Sequence, residues 1–122
     1  MIIVEGIDHV NIPVSDLEKS AAFYSDIFDF EILGEKSESS VLMSLDPIKI
    51  KLTKLAEVKN SLTEKNLPTL SFILDIDDFT EAISELETKN IKILKGPEST
   101  QDGESLTFGD PDNNLIEIFY RN

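Results

Sequence analysis

Two stretches of this 122-residue chain spell the same order of elements, and that repetition limits the fold more than any other feature. From Glu5 an alternating run sets Val10, Ile12 and Val14 against Ile7, His9, Asn11 and Pro13, the period-two pattern of a strand with one apolar face. Ser15 and Glu18 have capping-box spacing, and Leu17, Ala21, Tyr24 and Phe28 recur at helical intervals, which predicts an amphipathic helix over residues 16–29. Three short strands are expected next, Phe30–Glu35, Ser40–Leu45 and Ile48–Thr53, divided by Gly34 with a polar run and by Asp46-Pro47.

The second half repeats the grammar. Thr69–Asp75 alternates, with Leu70, Phe72 and Leu74 on one side and Thr69, Ser71 and Ile73 on the other. Asp78 and Glu81 open a helix whose apolar stripe is Phe79, Ala82, Ile83 and Leu86, and Asn90 suits its end. Strands are expected at Ile91–Leu94, Ser105–Phe108 and Leu115–Tyr120. The module ends agree too: Asp46-Pro47 precedes Ile50-Lys51-Leu52 as Asp110-Pro111 precedes Ile116-Glu117-Ile118, making Lys51 and Glu117 equivalent. This reads as one α+β domain over residues 1–122, with a first βαβββ module at 1–56, a connection at 57–66 and a second module at 67–122.

Composition removes whole classes of chemistry. With no Cys there are no disulfides, thiolate metal sites or cysteine nucleophiles, and a single His removes any site needing two imidazoles from one chain. Eleven basic against 24 acidic residues give a net charge of −13, which repels a phosphate backbone and argues against nucleic acid as a partner. The same field favours cationic small molecules. Neither a basic, apolar leader nor a membrane-length apolar run is visible, so the expectation is a cytoplasmic protein without a membrane partner. No phosphate-binding glycine loop, nucleophile elbow or dinucleotide fingerprint occurs.

One sheet face in each half is expected to be apolar. The other carries His9, Asn11, Lys49, Lys51 and Thr53 in the first module and Thr69, Ser71, Thr107, Glu117 and Phe119 in the second. Such a mixed face suits either a ligand cup, with apolar walls and a few placed polar groups, or a plain solvated surface. Phe23, Tyr24, Phe28 and Phe79 sit at core spacings, and Asp112-Asn113-Asn114 reads as a tight turn, since it lacks the ligand pattern of a calcium loop.

Asp8-His9-Val10, the helix with Phe23-Tyr24, and the closing Gly109-Asp110-Pro111-Asp112-Asn113-Asn114-Leu115-Ile116-Glu117 together resemble the vicinal oxygen chelate superfamily of glyoxalases, bleomycin resistance proteins and dioxygenases. The resemblance implies paired βαβββ modules curling an eight-stranded mixed sheet into a cup, within a homodimer. It also implies four cup positions that hold a metal in metal-dependent members; here they fall on His9, Lys51, Thr69 and Glu117. Only His9 and Glu117 are metal-ligand types among these. Lys51 stands where a carboxylate is frequent and Thr69 where a second His is frequent.

An incomplete donor set, with an ammonium that repels a dication or pairs with Glu117, disfavours a divalent metal. The expectation is therefore no cofactor and a small organic molecule bound by His9, Asn11, Lys51, Thr69, Ser71, Thr107, Glu117 and Phe119. Sequestration of a cationic compound, as in bleomycin resistance, is the leading reading. The alternative is a metal-dependent lyase, transferase, epimerase or dioxygenase on a small oxygenated substrate, with Glu117 catalytic and with His9 and Glu117 in its metal set. A third is an accessory domain with a degenerate cup.

Overall fold

Each sequence half closes by pairing its first strand with its last. The computed structural model describes residues 1–57, 67–75 and 78–122, and the chain divides into two units, Met1–Val58 and Lys59–Asn122. In the first unit β1 (Val10–Val14), α1 (Leu17–Phe28), β2 (Glu31–Ile32), β3 (Ser40–Leu45) and β4 (Ile48–Lys54) form a sheet of order β1-β4-β3-β2. In the second, β5 (Leu70–Ile73), α2 (Phe79–Thr88), β6 (Ile93–Thr100), β7 (Gly103–Gly109) and β8 (Leu115–Arg121) give the order β5-β8-β7-β6. The first and last strands of each module run parallel, as a helical crossover permits, and the other pairs are antiparallel. The eight strands thus form two four-stranded mixed sheets, one per module.

Register places the repeat residue by residue. Asn11 pairs with Lys51 and Ser71 with Glu117, so the equivalence of Lys51 and Glu117 carries with it Asn11 with Ser71 and His9 with Thr69. On the buried face of the first sheet Ile12, Leu52 and Val41 make one row and Ile50 and Met43 belong to the next, all 4% exposed or less, with α1 packed on β3 and β4. In the second sheet Leu70, Ile116 and Phe108 form one buried row, and Ile118 with Leu106 another. Tyr24 anchors the first core, with its ring edge-on to Phe23 at 5.2 Å and to Phe30 at 6.3 Å between centroids. Phe79 and Leu86 are the buried residues of α2, whereas Phe23 and Phe28 are only half-buried and Ile48, the first residue of β4, is 37% exposed.

The structure moves several boundaries. The first strand begins at Val10 rather than Glu5, because pairing with β4 starts at Val10 opposite Ile50; Ile2, Ile3, Val4 and Ile7 are exposed. Asp16, not Ser15, caps α1: its backbone is extended and its carboxylate accepts from Lys19 N at 3.1 Å. The expected strand Phe30–Glu35 shrinks to two residues, since Phe30 is drawn into the core and Gly34 takes a positive φ. In contrast β6 continues past Leu94 to Thr100, crossing Gly96-Pro97 by register shifts between Ile93 and Lys95 and between Lys95 and Glu98. Of the expected connection 57–66, only Glu57 lies within the described residues. Among the described residues no helix is long and apolar enough to cross a membrane.

Candidate functional site

The polar face of the first sheet is built on β4. Alternation puts Lys49, Lys51 and Thr53 opposite the buried Ile50 and Leu52, and all three are half-buried. Lys51 lies between Asn11 on β1 and Leu42 on β3; Lys49 faces Ser44, with Glu31 one strand further; Thr53 lies between Pro13 and Ser40. His9 precedes the first paired residue on the parity of Asn11. Its Nδ1 stands 2.7 Å from Asp8 Oδ2, and this bond with the His9 charge, aided by Lys49, holds the Asp8 carboxyl below its ordinary range. A proton on Nδ1 donated to Asp8 leaves Nε2 as the acceptor or donor atom for a ligand.

In the second unit one row crosses the sheet as Ser71, Glu117, Thr107 and Lys95. Ser71 Oγ donates to Glu117 Oε1 at 2.6 Å, the short distance expected of a hydroxyl on a carboxylate. That bond fixes one oxygen of a half-buried carboxylate and leaves the other to act. Thr107 is 7% exposed beside it. The next row carries Ile73, Phe119 and Ser105, with the Arg121 guanidinium 4.8 Å over the Phe119 ring. Thr69 stands before β5 and binds Leu115 O through its backbone N–H at 2.8 Å. The expected residues thus form two clusters: His9, Asn11 and Lys51 in one unit, and Thr69, Ser71, Thr107, Glu117 and Phe119 in the other.

Asp110, in sequence only one residue of a turn motif, organises the approach to β8. It is 4% exposed, and its carboxylate accepts from Asp112 N and Asn114 N at 2.9 Å and from Asn114 Nδ2 at 2.8 Å. Asn113 takes the left-handed conformation, with φ 61°, that lets the chain reverse into Leu115. Asp-x-x-x-Asn spacing was the available signal: a carboxylate four residues before an amide that returns to it. The turn carries no calcium pattern, and both Asp110 oxygens accept from N–H groups of the turn itself.

The sequence model of the Glyoxalase/Bleomycin resistance protein/Dioxygenase superfamily matches residues 6–118. The chain belongs to that superfamily. It is 29% identical over 116 residues to "Metallothiol transferase FosB" of Staphylococcus haemolyticus, spanning 94% of this chain and 83% of that protein. The fosfomycin resistance protein FosX of Listeria monocytogenes superposes with a TM-score of 0.81 at 21% identity, covering 98% of this chain and 94% of that one. Lactoylglutathione lyase of Agrobacterium tumefaciens does so at 0.74 and 18% identity, over 96% and 94%. At these identities the solved structures speak for the fold.

The four positions at which the superfamily resemblance places metal ligands hold an imidazole, an ammonium, a hydroxyl and a carboxylate. Among the described residues no three His, Cys, Asp or Glu side chains gather to hold an ion. One imidazole and one carboxylate are fewer donors than the three that typically hold a catalytic ion against water, and Lys51 brings a positive charge to the set. These residues do not fit a three-ligand centre.

Proposed function

We propose that the protein is an enzyme of the group-transfer or lyase kind acting on a small oxygenated substrate, with Glu117 as its catalytic carboxylate. The names of its relatives, a metallothiol transferase and a lactoylglutathione lyase, favour this reading over the sequestration of a cationic compound that net charge suggested. The observation that carries it in this chain is the Ser71–Glu117 bond: a carboxylate oriented by one hydroxyl, with Oε2 left to take up the proton of an attacking thiol or water as its bond to a substrate carbon forms and a C–O bond at that carbon breaks, the proton then passing to the released oxygen. Thr107, paired with Glu117 in the same sheet, supplies a neutral hydrogen bond for orienting a substrate. A homodimer is part of the same reading, and light scattering of the purified chain tests it.

The test takes fosfomycin as first substrate, because the FosX name supplies it, and follows its consumption by phosphorus NMR with thiols or water as co-reactant, with and without added divalent salts. Consumption is expected in the native chain, and Glu117→Gln should slow it roughly a hundredfold or more, the usual scale for losing a general base. Consumption unchanged in Glu117→Gln removes that residue from the chemistry. No consumption with any thiol or water, extended to hemithioacetals, removes the enzyme reading and returns the protein to binding without turnover. That second reading has its own observation, the Lys51 and Thr69 side chains at expected ligand positions.

A further inference from the structure

Lys49 and Lys51 are two residues apart on one strand and so point to the same face, about 7 Å apart along it. Both are half-buried. In a chain of net charge −13, carboxylates are abundant, yet among the described residues neither lysine has an ion-pair partner within 4 Å. The nearest claim on Lys49 is Asp8, whose carboxylate is already bonded to His9 and is 87% exposed. Glu31 stands at the far end of the Lys49 row, beyond Ser44. Around Lys51 the row supplies Asn11 and Leu42, an amide and an aliphatic side chain.

Two like charges held side by side with no carboxylate in contact oppose folding, and the exposed Asp8 carboxylate, already bonded to His9, offsets the Lys49 charge only from a distance. Their placement gains a reason if an anion sits between them. From this face we infer that the first module binds the negatively charged group of a small molecule, a phosphonate, phosphate or carboxylate, with Lys49 and Lys51 as its cations and Asn11 and Ser44 as neutral donors at its edge. This rests on the proposed function only in taking the polar face as substrate-facing; it deepens that reading by giving the substrate a charge, opposite to the one that net charge alone favours. An ammonium makes a point contact with an oxyanion through any of its three protons, so two of them accept a tetrahedral or a planar anion alike.

The experiment titrates the full chain, at low ionic strength and in separate arms, with methylphosphonate, inorganic phosphate, acetate and tetramethylammonium while recording amide proton–nitrogen spectra. Saturable shifts confined to amides of β1, β3 and β4, Asn11, Ser44 and Lys51 among them, are expected for at least one anion and not for the cation. The anion that saturates at the lowest concentration identifies the group. Lys49→Met with Lys51→Met should weaken that binding roughly a hundredfold, about tenfold for each charged contact. Lys51→Arg, which keeps the charge, should retain it and shows that loss in the methionine variant is not loss of fold. No saturable shift with any anion, shifts confined to other strands, or equal binding in a folded double-methionine variant each overturn the inference. A chain that binds the anion through these lysines but consumes no substrate keeps the inference and loses the enzyme reading. An active enzyme indifferent to both lysines does the reverse.

Discussion

At the scale of single residues the second module rests on Asp110 more than on any group in the polar face. Three N–H donors converge on its buried carboxylate, and removing the acceptor takes all three bonds away. Asp110→Ala should therefore lower unfolding free energy by about 2–4 kcal/mol, measured by urea denaturation, because a buried donor without a partner costs more than the bond it loses. Ser71→Ala belongs to a different class. Ser71 is exposed, so its loss should cost about 1 kcal/mol of stability or less, while slowing substrate consumption by releasing Glu117 from its fixed orientation. An Asp110→Ala protein as stable as the native one would show that water replaces the carboxylate. A Ser71→Ala enzyme at full speed would show that Glu117 needs no holding.

At the scale of elements, much was legible before any coordinates. Alternation located β1, β3, β4 and β8 to within a few residues, and helical spacing located both helices. What could not be read was whatever depends on a neighbour. The start of β1 is set by where β4 begins to pair, and the short β2 by the burial of Phe30. The extension of β6 depends on a ladder with β7 that tolerates Gly96-Pro97 at its irregularities. The polar face was legible as a set of residue types, but the Ser71–Glu117 bond and the paired rows exist only once register is fixed.

Two element-level outcomes follow. Gly103 opens β7 at φ 150°, and a Cβ there would lie 1.8 Å from Tyr120 O on β8, a backbone atom that cannot yield without moving the ladder. Gly103→Ala should cost about 3 kcal/mol or more, read as a fall in the urea midpoint. Asp78, the cap of α2, is held below the ordinary carboxylate range by hydrogen bonds from the Thr80 hydroxyl and backbone N–H. A depressed folded pKa means that the cap's contribution is present above the unfolded value and is lost as pH falls through the folded one. Amide-exchange protection at the start of α2 should decline below about pH 4, and Asp78→Ala should abolish that decline. Persistence of the same acid sensitivity in the variant would assign it to another carboxylate.

At the scale of the whole molecule, net charge and local charge point in opposite directions, and this is where reading the sequence by composition misleads. The −13 total describes the far field, whereas a ligand in contact sees the few groups on one sheet face, and there the first module offers Lys49 and Lys51. The far field still has consequences of its own. Twenty-four Asp and Glu against 11 Lys and Arg leave net repulsion in the folded chain that a longer, unfolded chain relieves. Screening weakens that repulsion once the Debye length falls to about 8 Å near physiological salt. Raising sodium chloride from low to physiological concentration should therefore raise the Tm, read by circular dichroism. The same salt should weaken anion binding at the lysine face, because there the screened interaction is an attraction. The two slopes must differ in sign: a Tm that falls with salt would mean that attractive pairs dominate the folded state, and anion affinity that rises with salt would mean that the far field, not the lysines, governs the ligand.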